Sequence, residues 1–239
     1  MAIITNGGHA QRALDFYDKT GKYFIIGGTT PWETESTPPS PESSVFTLEG
    51  IIALKSVDNY YIVKKDPSGS ISYNNENWKI VPPRIDTTLR LSISQGDTEI
   101  SLNSISGLTE GSKLRIHELY EGKIVSINSI TRVVQLDTPA PADISLGSTV
   151  KAGAVIEGAH HVYLESILEF DTFPLVTYRQ AGLCVGVTPS TENIMRAAAY
   201  SESGSDEYTS IGTLEVLDNK PPVIRNTSMS ERLCVMLEF

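Results

Sequence analysis

Hydrophobic residues recur along most of the chain in short runs typical of β-strands, and two segments instead show a helical spacing. In residues 6–19 the apolar positions fall near i, i+3 and i+4, and Gly21 follows them as a glycine often follows a helix end. Residues 191–200 place an alanine run behind Thr191, a residue type that caps helix N-termini. We therefore predict helices over 6–19 and 191–200, with β-structure elsewhere.

Apolar runs bounded by turn residues predict strands in the first and last thirds of the chain. Residues 23–26 form one such run, which stops at Gly27-Gly28. The turn signal Asp66-Pro67-Ser68-Gly69 lies between two apolar stretches and predicts a hairpin over residues 58–80. Further strands are predicted at residues 161–170, 178–188, 211–217 and 232–239, with Pro221-Pro222 between the last two.

The middle of the chain, residues 91–152, has shorter strands separated by polar turn residues. The candidate strands there are 99–103, 113–117, 123–128, 132–137 and 149–152. This pattern is typical of a small antiparallel barrel or sandwich that buries one face. We predict a mainly β protein in which 91–152 is a small inserted β-barrel-like module, while 1–90 and 153–239 form one discontinuous domain.

Prolines define a stiff, extended segment at residues 29–41, which we call the arm. Pro31, Pro38, Pro39 and Pro41 cannot donate backbone hydrogen bonds, so the arm cannot continue a helix or join a sheet centrally. Trp32 provides an apolar anchor within it. Composition alone leaves two explanations open: contact with another chain, or packing as a linker on the chain's own surface.

Acidic composition narrows the classes of partner. The 239 residues carry 19 basic and 29 acidic side chains, a net charge of −10, so nucleic acid and anionic membranes would be repelled. No apolar run approaches the roughly 20 residues that span a bilayer, and the first residues lack a basic signal segment, so we expect assembly in a cytoplasm. Cys184 and Cys234 lie in apolar strand-like runs, which favours two buried free thiols over a disulfide.

Residues suited to catalysis or metal binding are sparse. His160 and His161 with Glu165 suggest a metal site, but on a strand His160 would point away from the other two, so ordinary polar residues are favoured. The chain contains no nucleophile elbow, Walker loop or dinucleotide-binding glycine motif.

Two loop segments offer weaker signals. Glu202, Asp206 and Glu207 would suit Ca²⁺, although a solvated loop is favoured. Gly27-Gly28-Thr29-Thr30 follows a strand but has no lysine after it, which argues against a phosphate loop. We therefore predict no metal, no cofactor and no enzymatic activity.

Three segments, taken in order, resemble one known family. They are residues 13–17 and 23–27 with Thr30-Pro31-Trp32 and Pro38-Pro39-Ser40-Pro41, then residues 178–183 leading to Thr188-Pro189, then Leu217-Asp218-Asn219-Lys220-Pro221-Pro222-Val223-Ile224-Arg225 followed by residues 234–239. In order and placement they are similar to the baseplate wedge proteins of contractile-tailed, T-even-type bacteriophages, specifically the subunit that forms a homodimer at the wedge periphery. The resemblance covers both ends of the chain and leaves the middle unmatched.

The resemblance implies a non-enzymatic structural protein with a layered antiparallel β-sandwich and a few short helices. It implies a homodimer in the virion tail baseplate, assembled in the host cytoplasm, with other baseplate wedge proteins as partners and neither nucleic acid nor membrane as a ligand. It also favours contact with another chain as the role of the arm. The protein-interface residues expected on this basis are Thr30, Pro31, Trp32, Pro38, Pro39, Asn219, Pro221, Pro222 and Arg225.

The alternative function is a glycan- or ligand-binding β module of a phage tail or fibre. Such a module needs an aromatic platform, and Tyr120 is the sole aromatic residue between positions 91 and 152. This scarcity counts against a sugar platform in the inserted module.

Overall fold

The computed structural model describes residues 3–171, 175–189, 194–196 and 208–239. Two helices occur in this part of the chain, α1 (Asn6–Asp18) and the short α2 (Ala154–Glu157). The strands are β1 (Tyr23–Gly27), β2 (Ala53–Ser56), β3 (Asn59–Lys65), β4 (Ile71–Tyr73), β5 (Glu76–Ile80), β6 (Ile85–Thr88), β7 (Glu99–Ser101), β8 (Lys113–Ile116), β9 (Tyr120–Asn128), β10 (Val133–Leu136), β11 (Thr149–Ala152), β12 (His161–Leu168), β13 (Thr177–Val185), β14 (Thr188–Pro189), β15 (Ile194–Arg196), β16 (Tyr208–Ser210), β17 (Thr213–Ile224) and β18 (Glu231–Glu238).

These strands form antiparallel sheets. Among the described residues the sheet orders are β15-β2-β1-β13-β17, β6-β11-β8-β9-β10-β7 and β18-β12-β3-β5-β4, and β14 pairs with β16. Neighbouring strands run antiparallel in the registered pairs. The predicted class, mainly β with antiparallel layers, short helices and a barrel-like sheet, is confirmed.

Helix α1 follows the predicted boundaries to within one residue. Its N-terminus is capped by Thr5, whose hydroxyl oxygen accepts a hydrogen bond from the Gly8 backbone amide at 3.2 Å. The buried face of the helix includes Ala10, Leu14 and Phe16, which fits the apolar spacing of the sequence.

The chain divides into two compact units. Unit 1 comprises Met1–Tyr17, Tyr61–Tyr163 and Met236–Phe239, and unit 2 comprises Asp18–Tyr60 and Leu164–Val235. The predicted module 91–152 lies inside unit 1. Its status as an insertion in one discontinuous domain stays a prediction.

In unit 1, the six-stranded sheet curls until its first and last strands meet. Just beyond β6, Leu89 bridges to Leu102, and the Arg90 amide donates to the Ser101 carbonyl at 2.8 Å. The curled sheet therefore has the barrel-like form that the short, evenly spaced strands predict. Its buried core draws on this sheet and its loops: Leu89, Ile93, Ile100, Leu102, Leu108, Leu114, Ile116, Tyr120, Ile124, Val134, Leu136, Ala140, Ile144, Val150 and Ala152.

The predicted hairpin of unit 1 is present with one extra turn. Strand β3 pairs with β5, and β4 also pairs with β5, so the stretch predicted as a single strand is two. The turn between them is at Asn74 and Asn75, whose φ angles are 50° and 63°. Asparagine tolerates this left-handed conformation better than most residues, so the Asn-Asn pair is the signal that strand periodicity missed.

In unit 2, a five-stranded sheet is built around β1 and β13. Every residue of β1 is buried, as expected of a short apolar run between two partner strands. The core around it contains Tyr23, Ile25, Leu48, Leu54, Cys184 and Val187.

Strand β17 differs from the prediction, because it runs through Pro221 and Pro222 instead of ending before them. Gln180 pairs with Asn219 while Tyr178 pairs with Val223, so three residues of β17 lie opposite Arg179 alone. This bulge, on the edge strand of the described sheet, accommodates two residues that cannot donate to a ladder.

The predicted helix over residues 191–200 is wrong for residues 194–196. Residues 194–196 form β15, which pairs with β2 from Ile194 opposite Lys55 to Arg196 opposite Ala53. Pairing with an available sheet edge overrides the local helix propensity. The other residues of the predicted helix lie outside the described part of the chain.

Both cysteines are free, as predicted, but the prediction that both are buried is wrong for one of them. Cys184 is buried and Cys234 is exposed. On β18, Leu233 faces the core, and Cys234 therefore projects to the other side of the strand. Burial raises the pKa of the Cys184 thiol to about 12.

Candidate interaction surface

The arm lacks regular secondary structure, as its prolines predict, and it is fastened to unit 2 at two points. The Trp32 indole donates to the Lys220 carbonyl at 2.9 Å, and the Asn219 amide donates to the Pro39 carbonyl at 2.9 Å. Both contacts are with neighbouring residues of β17. The two segments expected to carry protein contacts therefore lie against each other.

Between these points, an ion pair ties the arm to β13. The Arg179 Nε donates to Glu35 Oε2 at 2.9 Å and Nη2 donates to Glu35 Oε1 at 2.6 Å, while Nη1 reaches the Thr29 carbonyl at 3.3 Å. Arg179 is 8% exposed and lies opposite the β17 bulge. Hydrogen bonds from Arg179 lower the pKa of the Glu35 carboxyl, and the same bonds raise the pKa of the guanidinium.

Gln180 links the arm contacts to the sheet. Its side-chain oxygen accepts from the Glu49 backbone amide at 2.8 Å, and its amide nitrogen donates to Asn219 Oδ1 at 3.0 Å. With its oxygen engaged in this way, Asn219 is oriented to donate to the arm. Thr30 completes the network, since its hydroxyl lies 2.6 Å from Glu49 Oε1.

Gly28 makes the close approach of the arm possible. Its φ angle is 71°, and a Cβ atom there would lie 2.7 Å from the Gln180 side chain and 3.0 Å from the Gln180 amide nitrogen. A larger residue would push the start of the arm off β13. The glycine pair that resembled a weak phosphate loop is therefore explained by packing.

Eight of the nine predicted interface residues lie in the arm or in the β17 segment that it contacts. Thr30, Pro31, Pro39 and Pro221 are exposed, and Trp32, Pro38, Asn219 and Pro222 are partly exposed. Their role as an interface between chains stays a prediction, because the hydrogen bonds that involve them join residues of unit 2.

Arg225, the ninth residue, is placed differently. It is 5% exposed, and its guanidinium donates to the carbonyls of Leu168 and Glu169 at 3.0 Å each and pairs with Glu231 at 3.3 Å. Tyr178 also hydrogen bonds to Glu231, and burial followed by that bond raises the pKa of the Tyr178 hydroxyl strongly. This buried polar cluster holds β13 and the end of β17 in place, and sequence periodicity gives no sign of it.

The comparison with known proteins supports the resemblance. The sequence matches the family described as baseplate wedge 3 tail fiber network component over residues 1–89 and 137–239. This chain belongs to that family. The ranges matched leave out residues 90–136, which contain the curled sheet from β7 to β10.

A curated relative of this baseplate component is Virion protein 3 of Enterococcus phage phiEF24C. It is 32% identical over 89 residues, which is 34% of this chain and 49% of the relative. The alignment thus spans about half the length of that relative. The family is one of structural components of the phage baseplate and is not a known enzyme family, and the predicted location in the virion is confirmed.

Among the described residues, no helix combines the length and apolar character needed to span a bilayer.

In this baseplate component Glu165 does not accompany His160 and His161, in line with the preference for ordinary polar residues over a metal trio. Glu165 pairs with Arg232 and Asn59 in unit 2. In unit 1, His160 and His161 instead approach Glu238, each with Nε2 at 3.9 Å from the same carboxylate oxygen. Burial, together with the neighbouring His160, lowers the pKa of His161. Glu202, Asp206 and Glu207 lie outside the described residues.

A groove of about 320 Å³ in unit 1 runs between α1 and the curled sheet. It is lined by Leu14 of α1, by Arg84 just before β6, and by Asp86, Arg115 and Lys151 of the sheet. Charged side chains of both signs line it, so the charges alone do not select one class of ligand.

Proposed function

We propose that this chain is a wedge subunit of a contractile-tail baseplate that pairs as a homodimer and binds neighbouring wedge proteins. The contacts would be made by the docked arm surface, defined as residues 30–32, 38–39 and 219–222. The observation that carries the proposal is the convergence of these two segments on one surface, together with the family match at both ends of the chain.

A pre-docked arm suits binding to another protein. Its prolines and its bonds to Arg179, Lys220 and Asn219 already hold it in one conformation, so little ordering remains to be done when a partner arrives. Trp32 is partly exposed although its indole nitrogen is bonded, which leaves part of the ring for a partner. Tryptophan is a residue type that commonly dominates binding energy at interfaces.

The shape of β17 favours side-chain contacts over strand addition. An exposed edge strand normally offers a row of backbone groups to another chain. Here Pro221 and Pro222 have no backbone N–H to donate, and the bulge interrupts the edge. The Lys220 carbonyl already accepts a hydrogen bond from the Trp32 indole. A second copy would therefore meet the arm face to face, in the isologous arrangement of a two-fold dimer.

The test of the homodimer is sedimentation equilibrium of the purified chain. We expect a species of twice the 26.1 kDa chain mass, with a dissociation constant that rises when the outer side of the arm is changed. Glu33→Arg places an opposite charge on the exposed face of the arm, next to Trp32, without touching the Arg179 pair. Glu110→Arg, at an exposed site in the turn before β8, is the matched control.

Trp32→Ala is expected to weaken self-association further while leaving the core folded. A monomer at all concentrations, or equal weakening by Glu33→Arg and Glu110→Arg, would contradict the proposed dimer surface. Contact with neighbouring wedge proteins is tested separately, by locating this chain in a cryo-EM map of the tail end of the virion.

The alternative glycan-binding function gains no support from the curled sheet. Tyr120 is 2% exposed and its hydroxyl donates to the Thr138 carbonyl, so its ring is not presented for stacking on a sugar.

A further inference from the structure

Three of the four histidines of the chain lie together in unit 1, next to one carboxylate. The rings of His160 and His161 have centroids 4.3 Å apart, and the His9 ring lies 6.1 Å from that of His160. One nitrogen of His160, one of His161 and an oxygen of Glu238 all fall within 4.8 Å of one another. Chain segments distant in sequence thus bring metal-ligating atoms to one place.

A hydrogen bond to the backbone selects the tautomer of His160 that metal binding needs. His160 Nδ1 lies 3.1 Å from the Gly158 carbonyl, which can only accept, so Nδ1 carries the proton of the neutral ring. The lone pair of Nε2 is then left on the side of Glu238, 3.9 Å from Oε1. A backbone carbonyl that fixes the tautomer in this way is the usual outer contact of a metal-binding histidine.

The donor atoms are spaced somewhat more widely than in an occupied tetrahedral site. Ligand bonds of about 2.0–2.2 Å at tetrahedral angles place neighbouring donor atoms roughly 3.4 Å apart. Both Nε2–Oε1 distances are 3.9 Å, so each has to shorten by about half an ångström, and the two imidazole nitrogens lie within 4.8 Å of each other. The Glu238 side chain is 73% exposed and can move by that amount, whereas the two rings are held against each other and His161 is packed on Trp78 with ring centroids 4.7 Å apart.

A second observation points to the same place. His9 Nδ1 is buried and has no hydrogen-bond partner among the described residues, although buried polar atoms are normally paired. His9 is on α1 and its ring contacts His160. An unpaired buried nitrogen beside the His160 ring is what the structure would show if an ordered water belonged to the site.

We propose that His160, His161 and Glu238 bind one divalent transition-metal ion, with Zn²⁺ as the best-matched ion and a water in the fourth position. Two neutral imidazoles and one carboxylate suit Zn²⁺, whereas Mg²⁺ and Ca²⁺ favour oxygen ligands alone. The bound ion would join residues 160–161 to residues 236–239, where the Phe239 amide already donates to the His160 carbonyl at 3.0 Å. Its role is that of a structural cross-link within unit 1.

The test uses the full chain, purified without a polyhistidine tag and treated with chelator before dialysis. Isothermal titration with Zn²⁺ is expected to show one equivalent bound per chain, and Co²⁺ is expected to give the visible absorption bands of a tetrahedral site. Mg²⁺ should give neither signal. Zn²⁺ should also raise the melting temperature, because it binds the folded chain in preference to the unfolded one.

Matched variants decide where the ion binds. His161→Ala and Glu238→Gln should each weaken Zn²⁺ affinity at least tenfold, while His117→Ala and Glu118→Gln, on a turn of the curled sheet, should leave it unchanged. Glu238→Gln keeps the side-chain shape at an exposed position, so loss of binding there cannot be attributed to unfolding. No stoichiometric Zn²⁺ binding by the unaltered chain, or equal affinity in Glu238→Gln and Glu118→Gln, would overturn the proposal.

Discussion

Arg179 and Glu35 are 144 residues apart in the chain and form a bidentate ion pair. Arg179 is on β13, opposite the bulge of β17, and Glu35 is in the middle of the arm. The pair lies between the two hydrogen bonds that fasten the arm at Trp32 and Pro39. It therefore decides whether the arm is held on unit 2 along its length or only at its ends.

Replacing Arg179 should loosen the arm. Arg179→Gln removes the fork of donors to Glu35 and the bond to the Thr29 carbonyl, so we expect cleavage after Glu33 or Glu35 by a glutamyl endopeptidase to become several-fold faster. Arg115→Gln is the matched control, since Arg115 makes a similar fork to Glu121 on the curled sheet. Equal cleavage rates in the two variants would show that the ion pair does not hold the arm.

Acid should release the arm in the same way. The pKa of Glu35 is lowered by the hydrogen bonds from Arg179, so the stabilisation is fully present above the ordinary value of 4.5 and is lost as the pH falls through the lower value of the folded chain. Trp32 fluorescence, recorded in a Trp78→Phe background, should shift to the red in that acidic range. In Arg179→Gln the shift should already be present at neutral pH.

The two thiols should differ in reactivity. Cys184 is buried, and burial raises its pKa to about 12, whereas Cys234 is exposed. A maleimide at neutral pH should modify one thiol per chain rapidly, as counted by mass spectrometry. Cys234→Ser should remove the rapid modification and Cys184→Ser should preserve it, while rapid modification of two thiols would contradict the burial of Cys184.

The curled sheet should fold outside the rest of the chain. Its buried core draws on residues of the sheet itself, its first and last strands meet, and the family match leaves out most of it. We expect a fragment of residues 84–153 to unfold cooperatively on heating, as followed by circular dichroism. A fragment without a cooperative transition would count against the predicted insertion.

One buried and one exposed leucine of the curled sheet provide a matched pair of substitutions for that fragment. Leu114 is fully buried, so Leu114→Ala should lower the free energy of unfolding by about 2–5 kcal/mol. Leu119 is 62% exposed, so Leu119→Ala should change it by about 0.5 kcal/mol or less. Urea unfolding of the fragment and of the full chain measures both.

The sequence predicted helices, strands and turns correctly where residues close in the chain determine them. The helix α1, the turn at Asp66-Pro67-Ser68-Gly69 and the short strands of the curled sheet follow from spacing and turn residues. Prediction failed where a neighbour in space decided the outcome. Residues 194–196 became a strand by pairing with β2, and Pro221-Pro222 entered β17 because a bulge on an edge strand accommodates them.

For the candidate site, the sequence by itself determined that the arm is neither helix nor strand, since proline restricts the backbone wherever it occurs. Tertiary structure decided which surface the arm contacts, which side chains hold it, and that Glu238 and not Glu165 accompanies His160 and His161. The physical reason is that proline restricts the backbone torsion angles of its own residue and of the one before it, whatever the fold. Ion pairs and clustered ligands, in contrast, join residues that only the folded chain brings within a few ångströms.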